Sequence, residues 1–161
     1  CRHNAAVDSK FFTPWEVRYM TKSTKDLLET MEKSSSYQDY LKENQGHLEK
    51  NFMKVDRVLS ALLQERQAKK ADVIARAGIE VHYGYQIFSG SKLPSRDKLI
   101  MLCLGFSLSP EEAQQLLKLT GYPPLYVKVE RDNAILFGLQ KGLDIISMNS
   151  LLYDLHLELL V

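Results

Sequence analysis

The chain has 161 residues, 45% of them hydrophobic and 25% charged, which is the balance of an ordinary globular protein and not of a disordered or fibrous one. No run of about 18 apolar residues occurs, which argues against a membrane-spanning helix, and the first twenty residues lack the continuous apolar stretch of an intact secretory signal; a cytoplasmic protein is expected. Two cysteines, Cys1 and Cys103, make no disulfide framework, and Cys103 sits in an apolar run as a small core residue.

The net charge of +1 hides an uneven distribution. Residues 1–53 carry eight basic and eight acidic side chains, residues 54–98 nine and five, and residues 99–161 four and seven. The positive excess therefore falls on the middle of the chain, where a phosphate-binding surface would need it.

Residues 1–22 have no clear period but hold an aromatic cluster, Phe11, Phe12, Trp15 and Tyr19, and read as an irregular arm. Residues 23–52 hold two short helices. The first opens at Ser23-Thr24-Lys25-Asp26, has Leu27, Leu28 and Met31 as its apolar face and breaks at Ser34-Ser35-Ser36; the second is marked by Tyr37, Tyr40, Leu41 and Leu48. Both are weakly apolar and depend on tertiary contacts.

From Val55 to Phe106 the pattern gives four short helices. An apolar helix with Val55, Val58, Leu59, Leu62 and Leu63 comes first, and Lys70 to Ala77 forms the second. The tight turn Ala77-Gly78-Ile79 leads into a third, Glu80 to Phe88, closed by Ser89-Gly90-Ser91-Lys92. The fourth has Ser95 as N-cap and Leu99, Leu102, Cys103 and Phe106 inward. A capping box with proline in the first helical position, Ser109-Pro110-Glu111-Glu112, starts a fifth helix with Ala113, Leu116 and Leu117 inward, and Gly121 stops it. Tyr122 to Tyr126 must be an extended connector, since Pro123-Pro124 cannot continue a helix. A sixth helix runs from Asp132 to Lys141. A seventh, capped by Asp144, carries Ile145, Met148, Leu151, Leu152 and Leu155, whose leucines serve either the core or a dimer seam. Leu125 to Val129 is the sole strand candidate. The fold class expected is all-α, a compact helical bundle with one core from about Phe52 to Leu160.

Catalytic and metal signatures are missing. There is no phosphate loop, nucleophile elbow or Ser-His-Asp spacing, and Glu111 and Glu112 are accounted for by helix capping. His82 has no Cys, His or carboxylate at ligand spacing, so no metal and no cofactor are expected, and the chain does not read as an enzyme.

Five pieces in order carry a family resemblance: Leu59-(x)2-Leu62-Leu63; Lys70-(x)2-Val73-Ile74-Ala75-(x)2-Gly78; Tyr85-Gln86-Ile87-Phe88-Ser89-Gly90; Pro94-Ser95-(x)3-Leu99; and Leu104-Gly105-Phe106-Ser107-Leu108-Ser109. Together they resemble the phage-repressor type of helix-turn-helix protein, the Xre/Cro-like transcriptional regulators, over residues 53–121. Residues 122–161, with Gly121-Tyr122-Pro123-Pro124-Leu125-Tyr126 and Asn149-(x)-Leu151-Leu152-Tyr153, look like a C-terminal helical extension seen in some regulators from gut Firmicutes, packed on the same core.

The resemblance implies a lambda-repressor-like domain whose third helix enters the major groove of double-stranded DNA. Carried over by position, it implies that Val81, His82, Tyr83 and Gln86 face base edges and that Lys70 holds phosphate, with Lys69, Lys92 and Arg96 beside it. It implies a small Ala75 where the two helices cross, and a positive φ at Gly78. Gly84 stands where the family has an apolar core residue, so a gap is expected there, filled by Tyr83 or Tyr85. One such module contacts few base pairs, which implies a homodimer on a repeated site, with the N-terminal arm and the last two helices as candidate dimer or effector surfaces. The reading helix carries no Arg or Lys and starts at Glu80, a composition that also suits a protein-interaction adaptor or antitoxin-like partner.

Overall fold

The computed structural model describes residues 22–47 and 52–161. The aromatic arm before Lys22, and Leu48, lie outside the described residues. The chain divides between Phe52 and Met53 into two compact units. Every regular element among the described residues is helical, as the all-α reading expects.

The first unit holds α1 (Thr24–Lys33), α2 (Tyr37–Asn44) and a 3-10 turn, Gln45–His47. Ser23 and Asp26 close a reciprocal capping box on α1, and Ser36 caps α2 through the Asp39 N–H. Tyr40 and Asn44 are buried. The Asn44 amide donates to the Tyr40 carbonyl (3.0 Å) and accepts from Lys22 Nζ (2.8 Å), so the polar group that is buried is also satisfied. Leu28 and Met31, expected to face inward, are exposed.

The second unit runs α3 (Val55–Glu65), α4 (Lys70–Ala77), α5 (Val81–Ser89), α6 (Arg96–Gly105), α7 (Pro110–Leu119), α8 (Glu130–Gln140) and α9 (Ile145–Asp154). Its boundaries follow local chemistry. Ser95, Ser109 and Asp144 accept from backbone N–H groups in the first turns of α6, α7 and α9, and the Ser109–Glu112 capping box forms with Pro110 leading. Gly78 and Gly90 end α4 and α5 in the left-handed region, at φ 71° and 82°, which an L side chain resists. Phe52 is exposed, so the core begins at Val55 and reaches Leu160.

The strand candidate forms no ladder. Pro123 and Pro124 have no N–H to give, and both backbone groups of Leu125 are taken by the Gln114 side chain, each at 2.6 Å. α8 starts two residues before the expected Asp132. Asp132 cannot cap it because its carboxylate is committed elsewhere: it receives Arg96 Nη1 and Nη2 at 3.1 and 2.9 Å and the Tyr126 N–H at 2.9 Å.

The centre of the unit is α6. Every residue from Leu99 to Gly105 is buried, where the sequence pattern gives only one inward stripe. α4 packs closely on it, and α7 and α9 pack on it as well, so no side is left to water. The approach of α4 is set by Gly105: a Cβ there would sit 2.6 Å from the Val73 carbonyl oxygen and 3.0 Å from the Ala77 Cβ. The crossing is therefore made at Ala77 and Gly105. Ala75, expected where α4 crosses α5, is exposed, and the residues that meet at that crossing are Ile74 and Gly84.

Three ion pairs stitch the unit together. Arg66 pairs with Glu112 and donates to the Phe106 carbonyl. Arg131 forks onto Asp97, both contacts 2.9 Å, and its remaining donors reach the Glu158 and Leu159 carbonyls. Arg96 forks onto Asp132 and also donates to the Pro123 and Pro124 carbonyls at 2.9 and 3.0 Å. Planar guanidinium forks of this kind fix geometry as well as charge.

These contacts can be tested by substitution. Gly105→Ala forces a Cβ into rigid backbone and should lower the unfolding free energy by about 1–3 kcal/mol. Gly138→Ala, whose new methyl meets chiefly the flexible end of Met148, should cost less in the same urea titration. Burial alone raises the Asp132 carboxyl, but Arg96 and the Tyr126 N–H outweigh it and hold the group below its ordinary 3.8. A lowered folded value stabilises above the unfolded value and is lost as pH falls through the folded one. Asp132→Asn should therefore cost about 2 kcal/mol near neutral pH, and the gap to the unmodified chain should close as the pH of the urea series drops below the ordinary 3.8.

Candidate nucleic-acid interface

The surface built by α4, α5 and the loop after α5 rests on a close helix crossing. Gly84 of α5 lies against Ile74 of α4, and a Cβ at Gly84 would fall 2.5 Å from Ile74 Cγ2. The gap expected at Gly84 does not exist: Ile74 occupies it, and neither Tyr83 nor Tyr85 is needed there. Ile87 and Phe88 complete the buried side of α5, with Phe88 tilted against Phe106 at a ring separation of 6.3 Å.

What α5 leaves outward is the arc Val81, His82, Tyr85 and Ser89, with Gln86 half-buried at its edge. Tyr83, expected on this arc, is turned to the flank instead. It is half-buried, with Lys98 Nζ 5.7 Å from its ring centroid. Its neighbour Tyr122 donates its hydroxyl to the Pro94 carbonyl at 2.6 Å, and burial first, then Tyr83, push the Tyr122 phenol upward. Tyr85 takes the outward place. The signal lies in the spacing: 81, 85 and 89 repeat every four residues, and 83 falls on the other side of a 3.6-residue helix.

Glu80 is the N-cap of α5. Its carboxylate accepts from the Tyr83 N–H at 2.7 Å and the His82 N–H at 2.9 Å, and these two bonds hold its pKa below the ordinary value. The acid is thus turned back onto its own helix and neutralises the positive end of the dipole.

The cations divide into two sets. Arg96, expected beside phosphate, donates to Asp132 and to two proline carbonyls, and it braces the connector. Lys69, Lys70 and Lys92 make no ion pair with a described residue. Lys69 is the N-cap of α4, where no side chain caps the helix, so the first amides of α4 point outward beside it. Lys70 Nζ stands 5.9 Å from the Tyr85 ring centroid and 5.8 Å from that of Phe88, which orients its charge over the aromatic pair. Lys92 is exposed in a loop made rigid by the Gln86 carbonyl, which accepts from Ser89 Oγ, Ser91 Oγ and the Lys92 N–H. It shares a cleft of about 380 Å³ with Lys54, a cation the sequence pattern does not single out. Leu93, beside it, is 77% exposed.

Among the described residues, no group of three His, Cys, Asp or Glu could hold a metal ion. Cys103 is fully enclosed, and burial pushes its thiol up to about 12, so it stays protonated and inert. No described helix is long and apolar enough to cross a membrane. Comparison of the chain with family models, with curated proteins and with solved structures finds no match.

The Gly84 contact gives a direct test. Alanine in place of glycine normally gains about 1 kcal/mol in a helix interior, but here the methyl meets a stiff β-branched side chain. Gly84→Ala should destabilise by about 1–2 kcal/mol net, and in an Ile74→Ala background, which removes the atoms the new methyl meets, the same change should cost far less in urea midpoint measurements.

Proposed function

We propose that this chain is a sequence-specific double-stranded DNA-binding protein, a transcriptional regulator of the Xre/Cro-like helix-turn-helix type, with α5 as its major-groove element. The observation that carries the reading is an exposed helical arc on α5 with cations close by: Lys70 Nζ stands 5.9 Å from the Tyr85 ring centroid, and the Lys92 N–H is bound to the Gln86 carbonyl. A duplex presents phosphates along both lips of its major groove, and cations beside an exposed helix suit them. Gln86 has the donor and acceptor that pair with adenine, Val81 and the Tyr85 ring suit a thymine methyl, and His82 can donate to a guanine acceptor. Sequence readout would come from these few side chains and affinity mainly from the lysines. A homodimer would supply the second half-site.

A second reading, a protein-interaction adaptor or antitoxin-like partner, draws on one observation of its own. The outward arc has no Arg or Lys and is joined by the exposed Leu93, while Glu80 has already satisfied the amino-terminal end of α5. Such a face suits an aromatic-rich protein interface.

Duplex titration against salt separates the two. A DNA reader should lose affinity linearly on a log–log plot, and Lys92→Ala or Lys69→Ala should each reduce the slope by about 0.9, one phosphate's worth. Tyr85→Ala should instead weaken the preferred sequence more than a random duplex and leave the slope unchanged. No duplex affinity for the folded chain at low salt would overturn the DNA reading in favour of the adaptor.

A further inference from the structure

We propose that the cleft between the start of α3 and the loop after α5 seats the sugar-phosphate backbone of a duplex, with Lys54 holding a phosphate beside the one at Lys92. The cleft measures about 380 Å³. Lys54, Val55 and Asp56 line one side of it, and Ser89, Gly90 and Lys92 line the other. That volume falls within the range of small-ligand sites, so it admits a phosphodiester group. Both lysines are exposed, and neither forms an ion pair with a described residue.

Both walls are held in place by the fold itself. The Met53 N–H donates to the Leu119 carbonyl at 2.9 Å, which ties the start of α3 to the end of α7. The Arg57 and Val58 N–H groups donate to the Lys54 carbonyl at 3.1 and 3.2 Å. Across the cleft, the Lys92 N–H donates to the Gln86 carbonyl at 3.2 Å. The walls meet where Asp56 lies on Gly90: a Cβ there would fall 3.0 Å from Asp56 Cγ. A cleft whose backbone is built in advance loses little freedom when a ligand arrives.

Charge and position select the occupant. The two ammonium groups face one carboxylate, Asp56, so the cleft is net positive and suits an anion of single charge, as each backbone phosphate is. No side chain caps α3, and its first amides add donors on the Lys54 side. Ser89 belongs both to this cleft and to the outward arc of α5. A strand following the lip of a groove entered by α5 therefore passes from Lys92 into the cleft. A free phosphate would meet the same lysines, but only the polymer explains why the cleft continues the arc. The inference rests on the duplex reading and adds to it a contact that the resemblance does not imply.

The test is the salt dependence of duplex binding by the full chain, in variants whose circular dichroism spectrum and melting point match the unmodified chain. Lys54→Ala should reduce the log–log slope by about 0.9 and weaken a preferred and a random duplex by the same factor. Lys54→Arg should keep the slope of the unmodified chain. Asp56→Asn should tighten binding roughly two- to fivefold at about 0.15 M salt, where exposed charges more than about 8 Å apart are largely screened and only a carboxylate close to phosphate is felt. A slope unchanged by Lys54→Ala, while Lys69→Ala reduces it, overturns this inference and leaves the duplex reading standing. So does an Asp56→Asn chain that binds no tighter. Inorganic phosphate held by the unmodified chain with a Kd below about 1 mM, and lost in Lys54→Ala, makes the cleft a small-anion site and overturns the backbone assignment. Absence of duplex affinity at low salt overturns both readings together.

Discussion

The second unit depends on the burial of α6 from every side. A helix enclosed from Leu99 to Gly105 cannot slide or rotate without disturbing each neighbour, because interiors this dense have few voids to absorb a shift. Gly105 lets α4 come down until the Val73 carbonyl is nearly in contact, and Gly84 lets α5 come down onto Ile74 in the same way. The outward arc of α5 is thus referred, through two glycine contacts, to a helix whose residues Leu99 to Gly105 are all buried. A recognition surface needs such a frame, since a helix that rocks by a turn would present different side chains to the same ligand.

The electrostatics of the arc assign roles unevenly. α5 itself carries no Arg, Lys, Asp or Glu, and the acid just before it serves as its N-cap. The cations are at its edges, on α4 and in the loop after α5. On the proposed reading, a groove-facing helix of this kind would discriminate through shape, apolar contact and a few hydrogen bonds, with the flanking lysines supplying attraction that is blind to sequence. Holding Lys70 over Tyr85 and Phe88 links the two functions, because the ring that faces outward also orients the ammonium beside it.

Much of the fold is legible in the sequence because it is written in local chemistry. Ser95, Ser109 and Asp144 announce helix starts, Gly78, Gly90 and Gly121 announce stops, and apolar spacing finds the inward stripe of α3 and α7. What is not legible comes from contacts distant in sequence. Ile100, Met101 and Leu104 read as the outer side of an amphipathic helix until neighbours on the remaining sides bury them. Gly84 reads as a defect until Ile74 is placed beneath it, and Ala75 reads as the residue where α4 crosses α5, a place that Ile74 takes. The candidate site is legible in outline only. Val81, His82, Lys69 and Lys92 are exposed at the edges expected, whereas Tyr83 and Tyr85 exchange places through helical phase, and Arg96 is drawn inward by an acid 36 residues further on. A charge count cannot tell a guanidinium that faces solvent from one that is already paired.

The ion pairs of Arg96 and Arg131 bear on how this chain could be dissected. Both cross the boundary near Gly121 where the sequence pattern would place a domain end, one in each direction: a cation before it holds Asp132 after it, and an acid before it, Asp97, holds a cation after it. Severing the polypeptide there would strand Arg96 and Asp97 without their partners and uncover the side of α6 on which α9 lies. The smallest autonomous fragment of the second unit is therefore nearly the whole of residues 53–161, and the extension is part of the scaffold, not cargo attached to it.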